Sequence, residues 1–192
     1  MPDEGSFIMD ASPVRSDERA AARLALVREH VNGENAHDLD AVMKTFGESA
    51  HYDDEPWNEH HAGREGVRSY YAQLMRSVPD LYIDVQREHV TKDGVILEVI
   101  IRGTHVGTWR SLPGTGRTLA IPLCGIFTFD AQDRLASERI YYDRATVLRQ
   151  LGVFHEPETI LGQIFTVLTH PVTIARIAAD RIRKRIARRG SR

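Results

Sequence analysis

Apolar residues recur along this chain at two different spacings, and the change from one to the other organises it. Ala20, Leu24, Val27 and Val31 return at the period of a helix face. Ser16 offers an N-cap with Asp17 and Glu18 in the first turn, and Gly33 offers a stop. A second short helix is predicted over 39–46, a short strand over 49–54 and an irregular stretch, EPWNEHHAGREG, from Glu55. A third helix runs from Gly63 or Arg64 to about Met75 and buries Val67, Tyr70, Tyr71 and Leu74. Beyond Pro79-Asp80 the period shortens to two. Strands are predicted over 81–90 and 95–105, joined by a Lys92-Asp93-Gly94 turn, and then over 119–129 and 135–142, joined by 130–133. A short helix over 144–151 follows. Helices first and hairpin-linked strands afterwards make an α+β plan: a curved antiparallel sheet against N-terminal helices, enclosing a cone-shaped cavity.

Strand alternation selects the candidate chemistry. In the strand from Val95 the odd positions are Val95, Leu97, Val99, Ile101, Gly103 and His105, so His105 is predicted to face the interior, with Trp109 on the same parity. Leu119, Ile121, Leu123, Phe127 and Phe129 share the inner face of the next strand. Counting on from Leu135 places Arg139, Tyr141 and Asp143 inward as well. A carboxylate in an apolar cavity has its ionised form penalised and becomes a stronger base. Asp143 is therefore a candidate pocket acid, and an N-cap on the helix starting at Arg144 is the alternative reading of the same residue. His105 is a candidate hydrogen-bonding group on the pocket wall, or else a core histidine satisfied by backbone. Tyr141, Arg139, Trp109 and Phe127 are expected to line the pocket with them. Arg139 beside Asp143 would lower the acid's pKa and weaken it as a base. His51, Asp53 and Trp57, in or near the irregular segment, are expected at the pocket mouth. The histidines and acids there (His51, Asp53, Asp54, His60, His61) lack the spacing of a metal site, and no metal is expected.

Several strings are similar to those of the SnoaL-like polyketide cyclases, within the nuclear transport factor 2-like superfamily. They are Asn35-Ala36-His37-Asp38-Leu39-Asp40, Gly63-Arg64-Glu65-Gly66-Val67, Val78-Pro79-Asp80-Leu81, Gly103-Thr104-His105-Val106-Gly107 with Gly114-Thr115-Gly116-Arg117, and Tyr141-Tyr142-Asp143 followed by Leu148 to Gly152. The resemblance spans about residues 20–153. It implies a cone-shaped α+β barrel and a cofactor-independent polyketide (ester) cyclase, in which Asp143 as general base drives an intramolecular aldol ring closure and His105 donates a hydrogen bond to the developing enolate oxygen. A small, apolar, carbonyl-bearing ligand and a homodimer are the implied partners. A non-catalytic ligand binder, or an isomerase, dehydratase or epoxide-hydrolase activity in the same pocket, are the alternatives, since one fold hosts many functions. The chain departs from the resemblance at His51-Tyr52-Asp53-Asp54-Glu55-Pro56, where the family often carries an apolar-His-Asp-Pro string, and this leaves open which acid faces the pocket.

Charge changes the picture only at the C-terminus. The chain carries a net −2, but residues 172–192 hold eight Lys or Arg against Asp180 alone, so that +7 is set against −9 in residues 1–171. An acidic body argues against general affinity for nucleic acid. The lone Cys124 and the acidic N-terminus without a basic-then-apolar leader point to a cytoplasmic protein, and no apolar run approaches the ~20 residues of a membrane span. The expected organisation is a disordered 1–15, a domain over 16–154 and a helical extension over 155–192. Ile160, Leu161, Ile164, Phe165 and Leu168 form an apolar stripe expected to dock on the domain or on a second subunit. Pro171 breaks the helix, and the basic piece after it is expected to stay mobile, with no integral membrane association and at most weak contact with an anionic surface.

Overall fold

A computed structural model describes residues 13–156 and 158–190, and it divides after Leu151 into two compact units. The disorder expected of the N-terminus falls largely on residues 1–12, which lie outside the described residues, as does Arg192. Residues 13–15, expected to be irregular, already belong to a helix.

In the first unit, α1 (Pro13–Asn35), α2 (Leu39–Thr45) and α3 (Gly63–Ser77) cover one face of a six-stranded sheet. The strands are β1 (Phe46–Asp54), β2 (Glu59–Ala62), β3 (Tyr82–Val90), β4 (Gly94–Thr104), β5 (Thr118–Phe129) and β6 (Leu135–Tyr142), in the order β2-β1-β6-β5-β4-β3. All neighbours are antiparallel except β1 and β6, which run parallel, so the sheet is not purely the antiparallel one expected. The segment expected to be irregular holds a 3-10 turn (Glu55–Trp57) and β2, which folds back on β1. A last short helix, α4 (Arg144–Gln150), follows β6.

The core lies between helices and sheet. Val27, Val31, Val67, Tyr70 and Tyr71 from the helices meet Val95, Leu97, Val99, Phe127, Leu135 and Ile140 from the strands, all buried. Gly33 does not stop α1. It sits where α1 crosses α2, with Val42 so close that a Cβ would lie 3.1–3.2 Å from it, and the helix runs on to Asn35. There the Asn35 side chain pairs with the backbone of β3: Oδ1 accepts from Ile83 N–H at 2.6 Å and Nδ2 donates to Ile83 O at 3.0 Å.

One irregularity decides the inner face of β6. Thr128 pairs with Ser137, but Phe129 pairs with Leu135, so Ala136 is an extra residue on β6. Such a bulge reverses the alternation downstream. Leu135 is buried, and after the bulge the inward set is Glu138, Ile140 and Tyr142, while Arg139 and Tyr141 face out.

The second unit contains α5 (Ile160–Thr169), capped by the Thr159 side chain on Gly162 N–H, and α6 (Pro171–Gly190). The helix axes bend by 101° at Pro171. No single helix among the described residues is long and apolar enough to cross a membrane.

Candidate functional site

The alternation of β4 and β5 delivers His105 to the interior as expected. It is 1% exposed and lines a cavity of about 60 Å³ with Leu119, Ile121 and Leu123 of β5, Tyr70 and Leu74 of α3, and Trp109. The two glycine strings around it hold its backbone: His105 N–H donates to Arg117 O, and Gly116 N–H donates back to His105 O, each at 2.9 Å. Gly107 and Gly114 permit this closeness, since a Cβ would come within 2.3 Å of Arg76 O at the first and 1.8 Å of Val106 O at the second. The Thr115 N–H donates to His105 Nδ1 at 3.3 Å, with Thr115 Oγ1 at 3.2 Å. With Nδ1 an acceptor, the neutral ring carries its proton on Nε2, which is buried and without a partner among the described residues. Burial holds the His105 pKa below its ordinary value. The residue is thus a neutral donor on an apolar wall.

The acid of the site is Asp54, at the end of β1 and 0% exposed. Tyr142 Oη donates to both its oxygens at 3.0 Å, Arg110 Nη2 donates to Oδ2 at 2.5 Å, and Tyr70 Oη lies at 3.5 Å. Burial raises the Asp54 pKa, against the opposing pull of Arg110 and Tyr142. Tyr70 and Tyr142 line the cavity, so the carboxylate stands behind two phenols. Arg110 also binds Glu59 through Nε and Nη2, at 2.9 and 2.6 Å. Its guanidinium lies over Trp57 (4.8 Å) and Trp109 (4.2 Å), whose rings meet edge to face at 5.4 Å.

The backbone that presents Arg110 is strained. Trp109 and Leu112 exchange two hydrogen bonds around a two-residue turn in which Arg110 (φ 47°) and Ser111 (φ 64°) both adopt left-handed angles. Neither is glycine or asparagine, so the turn depends on the contacts of the arginine to hold it. A wider vestibule of about 390 Å³, lined by Glu59, His61, Gln73, Arg110 and Ser111, shares Tyr70, Leu74 and Trp109 with the cavity. Four buried side-chain polar atoms lack a partner among the described residues, and all belong to this neighbourhood: His105 Nε2, Arg110 Nη1, His61 Nε2 and Trp57 Nε1.

A second polar cluster lies at the deep end, where a narrower cavity of about 30 Å³ is lined by Glu34, Glu138, Phe127 and aliphatic strand residues. His30 Nδ1 meets Thr45 Oγ1 at 2.8 Å, and Nε2 meets Glu138 Oε2 at 3.2 Å and Glu34 Oε2 at 3.5 Å. Tyr71 Oη donates to Glu138. Burial opposes the charge on His30, but Glu34 and Glu138 prevail and raise its pKa. Burial pushes Glu34 up to about 8, against the attraction of His30.

The expected site residues divide by face. His105 and Trp109 line the cavity and Phe127 the deeper one. Trp57 lines neither but packs on Arg110 and Trp109. Asp143 is not a pocket residue. It is exposed and caps α4, accepting from Ala145 N–H at 2.9 Å and from Thr146 N–H at 3.1 Å, while the Thr146 hydroxyl and these amides hold its pKa below the ordinary range. Tyr141 and Arg139 are exposed on the outer face for the same reason, the bulge at Ala136. Arg139 binds Asp53 and Glu55 there, not Asp143. Asp53 and His51 are also outward, by the alternation of β1: Asp53 accepts from Arg139 and meets His60 Nδ1 at 2.8 Å, and exposed His51 turns to Ser49 O. Cys124 pairs across the sheet with Tyr141, and burial raises its thiol pKa. Among the described residues no group of three His, Cys, Asp or Glu is arranged to hold a metal ion.

Sequence reasoning missed Tyr142 because its parity count ran through the bulge, and missed Arg110 altogether. The available signal was Trp-Arg-Ser, a bulky cation in a tight turn beside an inward tryptophan.

A family model described as SnoaL-like polyketide cyclase matches residues 24–151. None of the curated proteins matches the chain. Among solved structures, a putative SnoaL-like polyketide cyclase from Shewanella denitrificans superposes with a TM-score of 0.62 at 17% identity, covering 69% of this chain and 98% of that one. AclR, a putative hydroxylase from Streptomyces galilaeus, gives 0.62 at 20% identity over 71% and 99%. SalBIII, an epoxide hydrolase/cyclase-like enzyme of pyran ring formation in the polyether salinomycin, gives 0.58 at 20% identity over 67% and 95%. At these identities the likeness is one of fold.

Proposed function

The chain belongs to the SnoaL-like polyketide cyclase family, and we propose that its cavity carries out proton-transfer chemistry on a small, largely apolar ketone, with intramolecular aldol ring closure as the reaction. The observation that supports this reading is the unpartnered, buried Nε2 of His105 on the wall of an apolar cavity that also has a buried acid behind it, with the unpartnered atoms of Arg110 and His61 on the adjoining vestibule. Donors left without acceptors in a native interior call for an explanation, and a carbonyl oxygen supplies the missing partner.

In this reading the substrate carbonyl accepts a hydrogen bond from His105 Nε2–H. The proton on the adjacent carbon moves to Tyr142 Oη as the tyrosine passes its own proton to Asp54, so that no free tyrosinate forms. The electron pair left on carbon is delocalised to the carbonyl oxygen, which His105 stabilises. The enolate carbon then attacks a second carbonyl of the same molecule, forming a carbon–carbon bond, and the resulting alkoxide takes a proton back along the same path. Protons and electrons balance within the substrate and the relay. The raised pKa of Asp54 suits it to receive the proton, and Arg110 pulls against that rise.

The test needs no knowledge of the natural substrate. A panel of linear and cyclic 1,3-diketones in D2O is followed by NMR for exchange of the acidic C–H protons and for ring closure. The wild-type protein is expected to accelerate exchange, and Asp54→Asn to lose ~10²–10⁴-fold of that acceleration while keeping the fold. A second reading, ligand binding without catalysis, draws on the fact that both Asp54 oxygens already have partners. Saturable binding of a ketone with no accelerated exchange anywhere in the panel would favour it over the cyclase.

A further inference from the structure

The family match ends at Leu151, so α5 and α6 are additions to the family domain. The two helices differ in kind. α5, ILGQIFTVLT, has no charged residue, yet Ile160, Leu161, Ile164, Phe165, Val167 and Leu168 are each at least half exposed. On a helical wheel these six fall within one broad face, from Val167 through Ile160 and Ile164 to Phe165. α6 is the basic helix, with Arg176, Arg181, Arg183 and Lys184 exposed beside Val172, Ile177, Ile182 and Ile186. An apolar uncharged helix joined to an amphipathic basic one combines the two features that hold a chain on an anionic lipid surface, an inserted apolar face and a charged face at the headgroups.

We propose that α5 and α6 form a peripheral membrane anchor, with α5 entering the headgroup–acyl boundary and α6 lying along it through its basic side chains. The 101° bend at Pro171 supports a helix pair lying in the interface over one crossing it. Charge complementarity selects the lipid. Residues 172–192 carry +7 while residues 1–171 carry −9, so anionic headgroups attract the tail and repel the body. The exposed apolar side chains of α5 argue against nucleic acid, which has no use for them. A second copy of this chain, whose acidic body also attracts a basic helix, is the competing occupant.

The experiment uses the full-length protein and sedimentation with extruded vesicles, either of phosphatidylcholine alone or with about one third phosphatidylglycerol. Binding to the anionic vesicles is expected to exceed binding to neutral ones by about 10-fold, and to fall steeply with added salt. Phe165→Glu with Ile164→Glu, at exposed positions outside the family match, is expected to abolish binding at every salt concentration. Arg181→Glu with Lys184→Glu is expected to remove the preference for anionic lipid. Equal partitioning to both vesicle types, or anionic binding that survives both double variants, overturns the proposal. So does a dimer in sedimentation velocity that the Phe165 and Ile164 variants dissociate while vesicles bind nothing.

Discussion

The cavity has an acid cluster at each end, and they differ in how their partners are delivered. At the deep end Glu138 lies on β6, His30 and Glu34 on α1 and Tyr71 on α3, all regular elements locked into the core. Apart from Glu34, held by a 3.5 Å contact to His30, its members hydrogen-bond to one another, and an arrangement so closed has little left to offer a substrate. At the mouth Asp54 ends β1, but its counter-charge comes from Arg110 on a strained two-residue turn, with donor atoms around it left over. Buried acids alone therefore do not mark a working site. The deep groups are rigid and satisfy one another, whereas the groups beside the Arg110 turn are left with donors that a bound ligand could meet.

If the deep cluster is structural, breaking it should cost most. Glu138→Ala leaves a raised-pKa histidine and a tyrosine hydroxyl without their main acceptor, and should destabilise the fold by ~3–5 kcal/mol, read from urea denaturation. A loss below ~1 kcal/mol would place this cluster alongside the mouth as a candidate for chemistry.

The clusters should also differ in their pH dependence. The folded chain keeps a proton on the buried His30–Glu34 pair up to about pH 8, whereas the unfolded chain releases it sooner. The native state then binds more protons than the unfolded one, so stability falls as pH rises from ~5 to ~8, by on the order of a few kcal/mol across the coupled cluster. Glu34→Gln should flatten this slope in melting curves measured across that range. A slope unchanged by the substitution would put the titrating group elsewhere.

The smallest effect belongs to Asp143. Asp143→Ala should lower the melting temperature slightly through the lost cap of α4, and Asp143→Asn less, because the amide oxygen still accepts from the helix N-terminus. In the diketone assay both variants should stay within a few-fold of wild type. A 100-fold loss would return Asp143 to the reaction and set aside Asp54.

Much of the architecture was legible in the chain. The helical stripe of Val27 and Val31, the alternation from Val95 to His105 and from Leu119 to Phe127, and the break at Pro171 all rest on local periodicity, which short-range sterics determine. The strings that carried the family resemblance are largely fold devices. Asn35 pairs with β3, Arg64 binds the carbonyls of Met43 and Phe46, Asp80 accepts from Thr104, and the glycines clasp His105. The identity of the acid was decided elsewhere. One extra residue, Ala136, moved Tyr142 inward and Tyr141, with the count that led to Asp143, outward, and a bulge depends on pairing between strands that no single strand records. The partnership of Asp54 with Arg110 spans 56 positions and forms only once β1, β6 and the turn after Trp109 have met. Alternation within a strand is a property of the local backbone, whereas register and ion pairing are properties of the assembled sheet, so strand periodicity was enough to place His105 on the cavity wall, while Asp54 came to lie behind that wall only when the strands paired.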